Sequence, residues 1–222
     1  MAAEHLLITL DGPAGAGKST VAQSLAKRLG ISYLDTGAMY RALTLKGLRL
    51  NINLADENVL ADLAQRTQIG FKSAADDSLH VVLDGEDVAE AIRSVEVTNN
   101  TFYAARAPKV RKILVQWQME IGRRHSLVGD GRDLGTVVFP NATYKFYIDA
   151  DFEERFQRRL KELQAAGKPV DAKQLHSDMK DRDQKDLTRA VGPLKKASDA
   201  IVIDSTGLTV EQSVDKIMQY IK

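Results

Sequence analysis

Leu6-Leu7-Ile8-Thr9-Leu10-Asp11-Gly12-Pro13-Ala14-Gly15-Ala16-Gly17-Lys18-Ser19-Thr20 is the stretch on which the fold turns. An apolar run stops at a glycine-rich turn, and the turn feeds a segment in which Val21, Leu25 and Leu29 recur every fourth residue, the period of a helix. The order is strand, loop, helix. Gly12 and Gly17, followed by Lys18 and Ser19, fit the phosphate-binding spacing of Gly, four residues, Gly-Lys-Ser/Thr. Glycines here bring several backbone N–H groups close to anionic oxygens, where a Cβ would obstruct them, and the helix N-terminus adds partial positive charge. Lys18 then acts as a mobile point charge on the β- and γ-phosphates of a nucleoside triphosphate, and the Ser19 hydroxyl suits a Mg²⁺ ion bridging them.

The rest of the chain sets bounds on that reading. Its 222 residues suit one sizeable core with an insertion, or two small domains. With 44% apolar and 27% charged residues the composition is that of an ordinary globular protein. A net charge of +1 offers no broad attraction for nucleic acid or membrane, so anion binding must come from local clustering. Cysteine is absent, which excludes disulfides, thiolate metal sites and a cysteine nucleophile. Glu4 and His5 precede only a short apolar run, unlike a signal peptide, and no later run has the length of a membrane span. The expectation is a cytoplasmic protein.

Taken in order, Ile31 to Leu34 reads as a second strand, and Asp35 or Thr36 caps a helix through Met39, Tyr40, Leu43 and Leu45. Another helix is expected over about 55–66. Gln68 to Phe71 and Leu79 to Leu83 read as short strands separated by polar Ser73 to Ser78, with Asp84-Gly85 as a hairpin signal. Helical periodicity returns from Ser94 to Ala105 and again from Pro108 through Ile121, with Trp117 in the core. Ser126 to Gly129 is a brief buried strand, followed at its C-terminal end by Asp130-Gly131-Arg132-Asp133, the end at which open α/β sheets bind ligands. Thr143 to Ile148 is the next strand and Glu153 to Leu163 the next helix, broken by Gly167-Lys168-Pro169. Asp171 starts a further helix, with Gln174 at the capping-box position. Ala200 to Asp204 is the last strand, and Thr209 with Gln212 opens the final helix. Five apolar strands interleaved with helices predict a parallel sheet covered on both faces, in an α/β phosphate-loop fold.

Arginines punctuate the loops and helix starts: Arg41, Arg111, Arg132, Arg155, Arg158, Arg159, Arg182 and Arg189. An enzyme that brings two polyanions together needs such groups, because guanidinium binds phosphate bidentately and stays charged. Several also have a plainer reading. Arg155, Arg158 and Arg159 share a helix face on which Glu154 and Arg158 form a surface pair, and Arg182 and Arg189 fit a solvated helix end.

Three strings in this order, Gly12 to Thr20, Leu34-Asp35-Thr36-Gly37-Ala38-Met39-Tyr40-Arg41 and Gly131-Arg132-Asp133-Leu134-Gly135-Thr136-Val137-Val138-Phe139-Pro140, closely resemble bacterial-type cytidylate kinases. Arg182-Asp183 through Asp186, Arg189 to Leu194, and Ala197 to Thr206 continue the likeness, which spans nearly the whole chain. The resemblance implies a nucleoside monophosphate kinase: a core over about 1–36, 106–150 and 190–222, an acceptor-binding region enlarged by a mixed insertion over about 37–105, and a mobile lid over about 151–189. It implies transfer of a phosphoryl group from ATP to CMP or dCMP with Mg²⁺; a monomer is expected, and the near-zero net charge and few aromatics speak against a nucleic-acid or membrane partner. Gly12, Pro13, Ala14, Gly15, Ala16, Gly17, Lys18, Ser19 and Thr20 would cradle ATP, with Arg155, Arg158 and Arg159 closing over it from the lid. Arg41, Arg132 and Arg189 would hold the CMP phosphate, Arg182 and Asp186 the ribose, and Arg111 and Asp133 the cytosine, with Thr36 and Thr101 also on the substrate. A carboxylate at Asp133 accepts a proton from the 4-amino group of cytosine, which uracil lacks. The family often has a small hydroxyl residue against the base where Phe102 stands here, with Thr101 beside it, which leaves more of the recognition to Asp133 and Arg111.

Two other classes of function share the loop. A switch GTPase normally carries Asn-Lys-x-Asp, which is absent, and the Asp-x-x-Gly string from Asp204 to Gly207 comes too late in the chain to be a switch. Another small-molecule kinase, such as one preferring UMP, or a noncatalytic nucleotide-binding module is separated from a cytidylate kinase by turnover on a panel of acceptors.

Overall fold

The computed structural model describes residues 5–73, 79–167 and 169–222. The polar Ala74 to Ser78, Lys168 within the expected helix break, and the first four residues lie outside them. Inter-residue contacts divide the chain into two units, 1–34 with 122–222, and 35–121.

The first unit is built on a five-stranded sheet. Its strands are β1 (Leu7–Asp11), β2 (Ser32–Asp35), β6 (Leu127–Gly131), β7 (Tyr144–Asp149) and β8 (Ile201–Asp204), in the order β2-β6-β1-β7-β8. β1 runs parallel to β6 on one side and to β7 on the other, and β8 continues parallel beyond β7. The chain builds the sheet on the β6 side of β1 first and on the β7 side afterwards, so the strand order reverses at β1, whose C-terminal end is where open α/β sheets bind ligands. That end carries Asp11-Gly12 and the loop to α1 (Lys18–Leu29).

Ile8, Leu10, Val128, Phe146, Ile148 and Ile203 project from the strands into one apolar cluster with Val21, Ala22, Leu25 and Ala26 of α1. Val214 and Ile217 of α8 (Val210–Met218) complete it. β1 is buried on both faces, as a central parallel strand must be, and so reads as a continuous apolar run. Gly30, at φ 65°, stops α1 and returns N–H bonds to the carbonyls of Ala26 and Lys27.

The second unit holds α2 (Thr36–Arg49), α3 (Glu57–Gln65), α4 (Val95–Arg106) and most of α5 (Pro108–Arg124), with a small antiparallel sheet of β3 (Ile69–Ser73), β4 (Leu79–Leu83) and β5 (Glu86–Asp87). Asp84 and Gly85 make the turn between β4 and β5, both with positive φ, as the sequence predicts. α2 serves two clusters. Tyr40 and Leu43 join Leu60, Leu63, Ala104, Val110 and Leu114, while Ala38, Ala42 and Leu45 join Val81, Leu83, Val88, Ile92 and Val97. Trp117 packs against the first of these but remains half-buried, so it closes the edge of that core rather than filling it.

Three expectations need correction. The strand expected to end at Gly129 continues through Gly131, because Asp130 and Gly131 keep register with Leu10 and Asp11 of β1. Only Arg132 and Asp133 then emerge as its C-terminal loop. At α7 (Ala172–Thr188) Asp171 caps Lys173 and Gln174, but the Gln174 side chain donates to Asp178 and forms no capping box. The helix expected over 55–66 is shorter, with Asp56 as its cap. Among the described residues, no helix is long and apolar enough to cross a membrane.

Candidate active site

The loop after β1 takes its shape from close backbone approach. A Cβ on Gly12 (φ 150°) would lie 2.0 Å from the Ile148 carbonyl oxygen, so only glycine lets the chain leave β1 there. Gly17, at φ 79°, starts α1 without any side-chain cap, leaving its first N–H groups to a ligand.

Lys18 is the first residue of α1 and is buried. Its ammonium donates to the Pro13 carbonyl at 2.6 Å. Burial, reinforced by the Arg132 charge, brings Lys18 down to about 7, against the pull of Asp130 and Asp186. Ser19 Oγ donates to Asp130 Oδ2 at 2.8 Å, and Tyr33 Oη donates to Asp130 Oδ1 at 2.7 Å. Asp130 sits at the end of β6 and Tyr33 in β2, so the sheet itself sets this carboxylate beside the helix start.

Asp11, the last residue of β1, accepts from Leu134 N at 2.9 Å and Gly135 N at 2.7 Å. These amides open one π-helical turn, Leu134–Val138, directly after Arg132 and Asp133. Burial pushes the Asp11 carboxyl up to about 6, although the two N–H donors oppose it. Asp11 thus clamps the segment that carries Arg132 and Asp133. Asp149, the corresponding residue of β7, accepts from Ala150 N and ends its strand.

Arg132 Nε donates to Asp186 Oδ2 at 2.8 Å, and its Nη1 to the Gly131 carbonyl at 3.1 Å. Burial works against both charges of this pair. The Asp186 charge nevertheless raises the Arg132 pKa, and Arg132 with Arg182 holds Asp186 below the usual carboxylate range. Arg189 caps the C-terminus of α7; its Nη2 donates to Asp133 Oδ1 at 3.1 Å and its Nε to the Gly192 carbonyl. Lys18, Ser19, Arg132, Asp133, Arg182, Asp186 and Arg189 therefore all belong to the first unit, linked by these bonds and by the charge of Arg182 on Lys18 and Asp186.

The arginines of α6 (Phe152–Ala165) do not share one environment. Arg155 is buried and donates to Ala14 O at 3.0 Å, Ala150 O at 3.0 Å and Asp183 Oδ2 at 2.6 Å. Arg158 is half-buried; it reaches Glu154 at 3.0 Å, the pair its spacing predicts, and binds the hydroxyl and carbonyl of Ser205. Arg159 pairs with Glu162 at 2.7 Å.

In the second unit Asp35 caps α2 through Ala38 N and holds Arg41 Nη2 at 2.6 Å, so the cap residue also orients the guanidinium. Thr36 is buried at the first position of α2. Arg111 is 2% exposed, with its guanidinium 5.7 Å from the centre of the Tyr40 ring and a bond to Ala105 O. Thr101 Oγ1 donates to Val97 O within α4, and the Arg106 guanidinium lies 5.2 Å from the centre of the Phe102 ring. Motif spacing did not single out Tyr33, Asp183 or Ser205, whose parts depend on partners far along the chain.

A cytidylate kinase family model matches residues 8–222. The cytidylate kinase of Desulforamulus reducens is 49% identical over 219 residues, covering 99% of this chain and 98% of that protein. That of Alkaliphilus oremlandii is 46% identical over 219 residues, covering 99% of each. Among solved structures, an uncharacterized protein from Eubacterium ventriosum aligns over 97% of this chain and 98% of its own with a TM-score of 0.55 at 15% identity, a likeness of fold alone. With a phosphate loop at the switch point of a parallel sheet and a family match from β1 to the C-terminus, the chain belongs to the cytidylate kinase family.

Proposed function

We infer that the chain transfers the γ-phosphoryl group of ATP to CMP and dCMP, yielding ADP with CDP or dCDP. The observation that carries this is the Lys18 ammonium, buried at the start of α1 inside a phosphate loop, in a chain that matches cytidylate kinases over nearly its whole length. The acceptor is already a phosphate, so no strong base is required. Catalysis then consists of alignment and stabilisation of charge on the transferring group.

Gly12 to Thr20 bind the triphosphate in this reading, and Lys18 moves from Pro13 O onto it. Arg132, Arg158 and Arg189 stabilise the transferring group. Arg41, Arg132 and Arg189 take the acceptor phosphate and Arg182 with Asp186 the ribose. Asp133 and Arg111 read cytosine, and Thr36 and Thr101 complete the acceptor contacts. Arg159 turns toward ATP when a lid formed by α6 and α7 closes and excludes water. Arg155, on the same helix, is already engaged with Ala14, Ala150 and Asp183.

Mg²⁺ fits this site. Ser19 Oγ and the Asp130 carboxylate, 2.8 Å apart, offer oxygen donors suited to a hard cation, with Ser19 as direct ligand. Among the described residues no group of three or more His, Cys, Asp or Glu side chains could hold a metal by itself, in keeping with an ion carried largely by nucleotide oxygens and water. When bound, the ion would neutralise charge on the β- and γ-phosphates.

A coupled assay for ADP release across CMP, dCMP, UMP and AMP tests the reading. CMP and dCMP are expected to turn over well and AMP poorly. Lys18→Ala should lower kcat by about a hundredfold or more, as loss of a preorganised charge at the transferring group does. Preference for AMP, or full activity of Lys18→Ala, would refute the assignment.

A further inference from the structure

Three carbonyls of the phosphate loop are held by side chains. Lys18 Nζ donates to Pro13 O at 2.6 Å, Arg155 Nη1 to Ala14 O at 3.0 Å, and Ser205 Oγ to Ala16 O at 3.2 Å. Across a trans peptide the C=O of one residue and the N–H of the next point in opposite directions. A side chain that fixes Ala14 O therefore also fixes where Gly15 N–H points, away from Arg155. Loops of this kind bind phosphate through such N–H groups.

The Lys18 contact ends once the ammonium moves to a phosphate, whereas the Arg155 contact is backed by further bonds within the protein. Its Nε is tied to Ala150 O at 3.0 Å, and its Nη1 is shared between Ala14 O and Asp183 Oδ2. The guanidinium lies 5.1 Å from the centre of the Phe152 ring, and its side chain is 8% exposed, a setting that keeps its direction fixed. Asp183 belongs to α7, three residues before Asp186, and its charge also acts on Arg132. Its second oxygen, Oδ1, is buried without a hydrogen-bond partner among the described residues, a cost that hydration at an open surface would relieve.

We propose that Arg155 and Asp183 are a positioning pair for the phosphate loop: Asp183 holds the Arg155 guanidinium on the Ala14 carbonyl, and so aims the Gly15 N–H at bound phosphate. Arg155 then acts on the nucleotide through the loop rather than by touching it. Because Asp186 on the same helix accepts from Arg132 Nε at 2.8 Å, one helix steadies both the donor cradle and the arginine next to Asp133. The proposal rests on the ATP-dependent kinase reading, which the acceptor panel tests separately on the unaltered chain.

Calorimetric titration of the full chain with ADP and with ATP separates the two ways Arg155 could act. A loop out of position loses both ligands alike, whereas a clamp on the γ-phosphate is lost for ATP only. Arg155→Met is expected to weaken ADP and ATP by the same factor, about tenfold, the scale of one charge-assisted hydrogen bond. Asp183→Ala should weaken both several-fold. Asp183→Asn, which keeps an acceptor oxygen for Arg155, should recover most of that loss, and the double variant Arg155→Met with Asp183→Ala should be no worse than Arg155→Met. If Arg155→Met folds poorly, the contrast of Asp183→Asn with Asp183→Ala carries the same test. Loss confined to ATP, additive losses in the double variant, or unchanged affinities with only a lowered Tm would each overturn the proposal.

Discussion

An ammonium group is among the costliest to bury, and Lys18 is 5% exposed. Burial brings the group down to about 7, which lowers that cost because the neutral amine is the cheaper form to bury. A bound polyphosphate reverses the balance, since negative charge beside the amine favours its protonated form. Binding must then draw a proton from solvent. At pH 8, where the phosphates of ADP are ionised, ADP binding should take up most of one proton through Lys18. Calorimetry in two buffers of different ionisation enthalpy would read the uptake as a difference in apparent binding heat, and identical heats would contradict it. The loop motif places Lys18 in the sequence, but its contact with Pro13 O and the closeness of Arg132 come from the folded loop and β6. Asp183 and Ser205 were less legible still. Both are ordinary polar residues in their own segments, and only the folded chain sets them against Arg155 and Arg158.

At the scale of elements, sequence reads best where a local rule fixes the outcome. Thr209 and Gln212 form the reciprocal capping box that their spacing predicts, with Gln212 N on Thr209 Oγ1 at 3.2 Å and Thr209 N on Gln212 Oε1 at 2.9 Å. α8 is only nine residues long, too short to persist without its cap and the packing of Val214 and Ile217 against the sheet. Thr209→Ala should therefore cost about 1 kcal/mol, read as a lower urea midpoint with unchanged slope. Where tertiary partners decide, the same reading stops short. Asp130-Gly131 looks like a loop by composition yet completes β6, because the parallel ladder with Leu10 and Asp11 outweighs local preference. The π-helical turn that follows has no local signature; its amides are directed at Asp11, more than a hundred residues earlier. Gln174 satisfies the capping-box spacing but finds Asp178 instead.

For the whole molecule, Asp11 links the stability of the fold to pH. Its carboxyl is pushed from 3.8 up to about 6, with burial as the main cause. A raised pKa means that the folded chain binds this proton more readily than the unfolded one between those values. The contribution of Asp11 to stability is thus fully present below pH 4 and is lost as the pH rises through 6. Moving from 3.8 to about 6 corresponds to roughly 3 kcal/mol over the whole titration. Asp11→Asn removes the titration while keeping one acceptor oxygen for the amides of the π-helical turn. Its absolute stability also reflects the amide group facing one of those N–H donors, so the informative quantity is the change with pH. The stability of Asp11→Asn relative to the unaltered chain should rise by about 2 kcal/mol from pH 4 to pH 7, followed by urea unfolding at unit intervals. A difference that stays flat across this range would mean that the clamp on Leu134 and Gly135 holds its charge at little cost. Turnover, which depends on where this clamp sets Arg132 and Asp133, should then show no acid-side dependence on Asp11 either.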